Sequence, residues 1–200
     1  MQMNNQILLA PQPTIKRIAD LEGADFYPTP IWATKALLEN EPFNGDIWEC
    51  ACGDGSMSEV LKEYNNEVFS SDLYDRGYGE PGIDFTQEKR QISNIITNPP
   101  FHSAEEFVEA GLRNATSKVA LLLRLAFLEG IKRQKNIFAT TPPTTVWVFS
   151  ERITFYPKGA VRNGSGTTAY AWFVWDKKNT GTTNLKWLPL GQKTRYSEPS

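Results

Sequence analysis

The chain has 200 residues, 40% of them hydrophobic and 22% charged, which suits one globular domain and argues against wholesale disorder. Its net charge of −2 hides a division: residues 1–123 carry −10 and residues 124–200 carry +8, the asymmetry of a protein that meets phosphates with one side, although a merely solvated surface would give the same count. Two cysteines rule out a disulfide framework, and no apolar run reaches the roughly 20 residues of a bilayer span, so a soluble cytosolic protein is expected.

Residues 1–24 are polar, with two prolines and no sustained period, and are expected to form a loose arm. Thr29-Pro30 then opens a helix, with Thr as cap, Pro in the first turn, and Ile31, Ala33, Ala36, Leu37 and Leu38 as its apolar face. Pro42 and Gly45 end it. Asp46 to Ala51 reads as a short strand entering the glycine turn Cys52-Gly53-Asp54-Gly55, after which Ser56 caps a helix over Met57 to Tyr64. Glu67 to Ser71 is the next strand and ends in Asp72. A Gly/Pro-rich connection leads to Ile83-Asp84-Phe85, and Ser93 to Thr97 is a strand that ends in Asn98-Pro99-Pro100-Phe101.

Ser103 starts an amphipathic helix with Phe107, Val108 and Leu112 inward. Val119 to Leu123 is wholly apolar, as at the centre of a parallel sheet. A helix from about Ala126 to Phe138 would carry Lys132, Arg133 and Lys135 on its basic face. Val146 to Phe149 and Tyr170 to Trp175 are further strands around a glycine-rich loop, with Trp172 and Trp175 as core or sheet-surface residues. Residues 25–176 thus form the domain, and 177–200 a polar tail with Leu185, Trp187 and Leu188 available to pack back. Alternating strands and helices predict an open α/β sheet.

Ligands of such sheets bind beyond the carboxyl ends of the strands, where Glu49 to Gly55, Asp72, Asp84-Phe85 and Asn98 to Phe101 all fall. Gly53 and Gly55 would let the backbone pass close beneath a ligand. No third glycine and no G-K-[ST] follow, so pyrophosphate cradling has little support. Glu49 could meet a charged amino group. Asp72, 23 residues later, is placed for a ribose diol, and Asp84 offers an acceptor beside the Phe85 ring. Asn98 and a proline carbonyl could both accept hydrogens from one amino group, freeing its lone pair to attack, while Phe101 gives a planar base a face to stack on. His102 reads as a helix-start residue. Cys50 and Cys52 lack the further ligands a metal needs, so none is assigned.

Phe26-Tyr-x-Thr-Pro30, Glu-x-Ala-Cys-Gly-Asp-Gly55, Asp72, Asp84-Phe85 and Asn-Pro-Pro-Phe101 together resemble the S-adenosylmethionine-dependent amino-methyltransferases. They are most similar to small phage and prophage DNA adenine-N6 methyltransferases in the gamma motif order. The resemblance spans about residues 26–175. It implies one Rossmann-like class I methyltransferase domain, with a mostly parallel sheet, an antiparallel edge strand and helices on both faces. It further implies that Tyr27, Thr29 and Pro30 border the methionine moiety and that Glu49, Ala51, Gly53 and Gly55 form the cofactor turn. Asp72 would bind the ribose, Asp84 and Phe85 the adenine ring, and Asn98, Pro99, Pro100 and Phe101 the target base. Arg152 to Tyr156 resembles the segment that packs an aromatic on the extruded base, Phe155 first and Tyr156 second. Arg124, Lys132, Arg133, Lys135, Arg152, Lys158 and Arg162 would face DNA.

Two departures qualify the likeness. Glu49-Cys50 replaces the usual Asp-Pro, and the large target-recognition domain of restriction-linked relatives is missing, which bears on sequence specificity. RNA, cytosine N4 or a protein amide as acceptor stays open, as does a catalytically silent binding module.

Overall fold

Among the described residues eight strands form one sheet, whose central strands bury apolar side chains on both faces. The computed structural model describes residues 26–64, 67–156, 166–179 and 181–196. Helix α1 (Ile31–Asn40) leads to β1 (Ile47–Glu49), α2 (Ser56–Glu63), β2 (Val68–Asp72), the two-residue β3 (Glu80–Pro81) and β4 (Ile92–Thr97). A 3-10 turn at Phe101–Ser103 enters α3 (Ala104–Asn114), followed by β5 (Ala115–Arg124). After a second 3-10 turn, α4 (Ile131–Arg133) runs into a π turn (Gln134–Phe138). Then come β6 (Thr145–Val148), β7 (Tyr170–Asp176), β8 (Asn184–Trp187) and α5 (Gln192–Arg195).

The strand order is β3-β2-β1-β4-β5-β7-β6-β8. All pairings are parallel except those of β7, which runs against both β5 and β6 in the half of the sheet that ends at β8. The wholly apolar run in β5 follows from burial on both sides: Val119, Leu121 and Leu123 pack with Phe107, Val108 and Phe173, while Ala120 and Leu122 pack with Leu37, Leu61 and Trp172. Each such leucine stabilises the fold by about 1.5–3 kcal/mol relative to exposure. Trp172 and Trp175 are both core, and their indole N–H groups donate to Ala33 O and Thr141 O, each at 2.9 Å.

Four local expectations are corrected. Pro30, not Thr29, is the N-cap of α1, and Thr29 makes no capping bond because its hydroxyl is engaged elsewhere. Gly55, in the left-handed region, caps α2, with Asp54 Oδ1 accepting from the Ser56 N–H and hydroxyl. The helix expected over Ala126 to Phe138 is interrupted at Gly130, whose φ of 135° and ψ of 131° no helix accommodates. The polar tail supplies β8: Leu188 is buried, whereas Leu185 and Trp187 stay exposed beside the edge. Residues 1–24 lie outside the described residues. Among those described, no helix is long and apolar enough to cross a membrane.

Candidate active site

Because β2 and β4 flank β1 on opposite sides, the connections leaving β1 and β4 part company at their carboxyl ends, where a crevice opens. It holds a cavity of about 440 Å³, within the ~300–1,000 Å³ of small-ligand sites. Tyr27, Thr29, Glu49, Ala51, Asp72, Asp84, Phe85, Asn98, Pro99, Pro100 and Phe101 all line it, so segments 70 residues apart in the chain converge as the strand-end argument requires. Pro30, Gly53 and Gly55 do not line it.

The two glycines serve the turn itself. Gly53 has φ +54° and Gly55 φ +84°, and a Cβ on them would collide with the rings of Phe26 and Tyr78. The space those hydrogens leave is thus filled by the protein's own aromatics. Asp72, almost buried, stitches the same turn: Oδ2 accepts from Gly53 N–H and Oδ1 from Tyr74 N–H, both at 2.9 Å. A carboxylate with two oxygens retains lone pairs for a further donor from the cavity side.

Glu49 is 1% exposed. Ser58 and Thr97 hydroxyls donate to its two oxygens at 3.1 and 2.9 Å, and Ser70 donates in turn to Ser58. Burial outweighs these bonds and pushes its pKa up to about 8. An arriving cation would restore its charge. Burial likewise raises the Cys52 thiol to about 12 and holds the Cys50 thiol well above its ordinary value, so both act as small packing groups. Asp84 Oδ1 accepts from its own turn, at Thr86 N–H and hydroxyl, and Phe85 is buried edge-on to Trp48, floor rather than stacking face.

Among the described site residues, Asn98 is the one with a buried side-chain acceptor that has no hydrogen-bond partner. Its Nδ2 donates to Thr29 Oγ1 at 3.1 Å, while Oδ1 is buried without a hydrogen-bond partner. Beyond it Phe101 lies 6.2 Å from Phe155 and 5.6 Å from Tyr170, and Phe155 meets Tyr170 at 4.9 Å and Tyr27 at 6.3 Å. The Arg124 guanidinium covers Phe101 at 4.6 Å. Phe155 thus packs against Phe101, the last residue of the Asn98–Phe101 segment.

Two cavity or box residues, Tyr170 and Arg76, were missed by sequence reasoning. Tyr170 was read only as part of a core strand, yet antiparallel register sets it opposite Arg124 at the end of β5. Arg76 stacks on Phe26 at 4.4 Å beside Asp72, and Phe26 itself fills the space under Gly53. Arg76 had no motif to announce it, whereas Phe26 opened the Phe26-Tyr-x-Thr-Pro30 motif without a role of its own.

The basic residues divide. Arg124, Lys132 and Lys135 are exposed. Arg133 is a correction: it pairs with Glu105 at 3.3 Å, donates to Glu129 O and lies over Phe127, so it braces the segment after Gly130. Arg152 is another, since its guanidinium donates to Gly166 O at 2.9 Å, and with Thr154 accepting from Gly166 N–H it clasps the base of the β6–β7 connection. Lys158 and Arg162 lie outside the described residues.

No protein-family model and no curated protein matches the chain. Solved structures do. A Pyrococcus horikoshii protein assigned as an RNA methyltransferase superposes with TM-score 0.57 at 14% identity, over 81% of this chain and 97% of its own. A Listeria monocytogenes protein assigned as a class I S-adenosylmethionine-dependent methyltransferase gives 0.53 at 13%, over 81% and 65%. An Agrobacterium tumefaciens protein assigned as an O-methyltransferase gives 0.51 at 12%, over 79% and 84%. The fold is that of the class I methyltransferases. At such identities the likeness is one of fold. Within this class I fold, the site must be argued from its own chemistry.

Proposed function

We propose that this protein transfers a methyl group from S-adenosylmethionine to the N6 amino group of adenine in DNA. The observation that carries the reading is the buried, unpartnered Asn98 Oδ1 in the wall of the cavity, next to an aromatic box. Among the described residues, five buried side-chain atoms lack a hydrogen-bond partner, and Asn98 Oδ1 is the one that belongs to a residue lining this cavity, where a bound ligand could complete it.

The cavity residues fit the cofactor: Glu49 for a cationic amino group, Asp72 for a diol, and Asp84 for an exocyclic amine. When bound, S-adenosylmethionine supplies a sulfonium-activated methyl group, so the chain needs no strong base and works mainly by alignment. Asn98 Oδ1 and the Pro99 carbonyl would accept the two hydrogens of the target amino group. Those bonds favour a pyramidal nitrogen with its lone pair free, and stabilise the positive charge that builds there. Phe101 and Phe155 would hold the extruded base, leaving the Arg124 charge near its backbone.

Incubation with labelled S-adenosylmethionine and separate DNA, RNA and protein pools tests this. Label in DNA recovered as N6-methyladenine is the expected result. Recovery as N4-methylcytosine, or label confined to RNA, would replace the acceptor. Cofactor binding with no label in any pool would favour a silent binding module.

A further inference from the structure

Thr29 stands where a helix cap would be expected and does not cap. Its Oγ1 instead accepts a hydrogen bond from Asn98 Nδ2, 69 residues further along the chain. Thr29 is 93% buried, the complement of its 7% exposure, so little water is at hand to replace that partner. It is flanked by Pro28 and Pro30, and proline both fixes its own φ and confines the residue before it to extended backbone, which makes the mount stiff.

An asparagine amide is nearly symmetric in shape, with an acceptor at one end and a donor pair at the other. A target amino group brings hydrogens, so an amide turned the wrong way would set donor against donor. Something must tell the two ends apart. We infer that Thr29 is a positioning residue for Asn98: its hydroxyl takes the Nδ2 end of the amide and so presents Oδ1 to the cavity. This rests on the reading of Oδ1 as acceptor for the target amino group. The buried, unpartnered Oδ1 is the other half of the same arrangement: the Thr29 hydroxyl, which could donate or accept, accepts from Nδ2 and leaves Oδ1 without a partner. Thr29 thereby differs from the role the resemblance implies, a border to the methionine moiety, and the two roles separate experimentally.

Thr29→Val keeps shape and removes the lone pairs. The expected result is a kcat lower by about 10- to 100-fold, the range when the hydrogen-bond partner of a functional side chain is lost, with cofactor Kd nearly unchanged. Thr29→Ser should recover most of the rate. In an Asn98→Ala background, Thr29→Val should cost nothing further, because it acts only through the amide. An unchanged kcat, an equal loss in both backgrounds, or a loss of cofactor affinity that accounts for the rate would overturn the proposal. Should the valine variant fail to fold, Thr29→Ala repeats the series. A second readout needs no turnover: the Asn98 side-chain amide signal in a nitrogen-15 NMR spectrum, identified by its loss in Asn98→Ala, should move in Thr29→Val and return in Thr29→Ser. An unmoved signal would sink the inference. A parent protein that methylates no acceptor would sink the functional reading, and the NMR signal would still decide Thr29's hold on the amide.

Discussion

Two residues lining the cavity carry buried side-chain acceptors in opposite condition. Asn98 Oδ1 lacks a partner, whereas both oxygens of Glu49 have hydroxyl donors and what is missing is a charge to balance. Asn98→Ala should leave cofactor affinity nearly intact and lower kcat by about 10²–10³-fold, as when one transition-state hydrogen bond is removed. Single-turnover rates set against calorimetric affinity check this. Glu49 has its pKa raised from 4.5 to about 8, so the native state holds a proton that the unfolded chain has released between those values. Stability of the unliganded protein should therefore fall as pH rises across that window. A cofactor ammonium reverses the balance, and binding near pH 7 should release a proton. Calorimetry in two buffers of different ionisation heat reads that proton, and Glu49→Gln should abolish it. The placement of Glu49 and Asn98 on one cavity was legible in their strand-end positions. Their hydrogen-bond states were not, because Ser58, Thr97 and Thr29 come from three other segments that no local spacing connects.

Among the elements, the strands were read well wherever burial decides. The unbroken apolar run of β5 and the alternating faces of β7 follow from having core on both sides. The reading failed where one residue's geometry overrules a periodic pattern. Apolar and basic residues from Ala126 to Phe138 fit helical spacing, yet Gly130 breaks the segment, and the guanidinium counted as part of a basic face braces the break. The same rule gives a prediction for the turn after β1. Gly53→Ala should cost about 1–3 kcal/mol from the left-handed backbone alone, with a further cost for displacing Phe26. Since Gly53 N–H also holds Asp72, cofactor affinity should drop while circular dichroism shows the sheet retained. Unaltered affinity in the variant would mean that the turn does not position Asp72 for a ligand.

At the scale of the molecule, the −10 of residues 1–123 opposes the +8 of residues 124–200, so attraction to phosphate depends on gathering cations near the site. Arg124 is exposed and stacked on the cavity-lining Phe101, with exposed Lys132 and Lys135 following in the chain. Reversing these three to glutamate, and leaving the structural Arg133 alone, should weaken DNA binding across all sequences and spare the cofactor. If each meets one phosphate, the slope of log affinity against log salt should shrink by about 2–3. A salt-insensitive slope would point to an acceptor other than nucleic acid. The two ends of the sheet carry one more consequence. One edge is β3, two residues long and ending in Pro81, which has no N–H to offer; the other is β8, short, exposed, and carrying Lys186 over Trp147. Both are poor templates for a foreign strand. Ending the chain after Asp176 would bare the Thr145–Val148 edge, an apolar stretch rich in β-formers, and light scattering should then record aggregation that the parent resists. On that outcome the Asn184–Trp187 strand would be a guard against self-assembly as much as a piece of the fold.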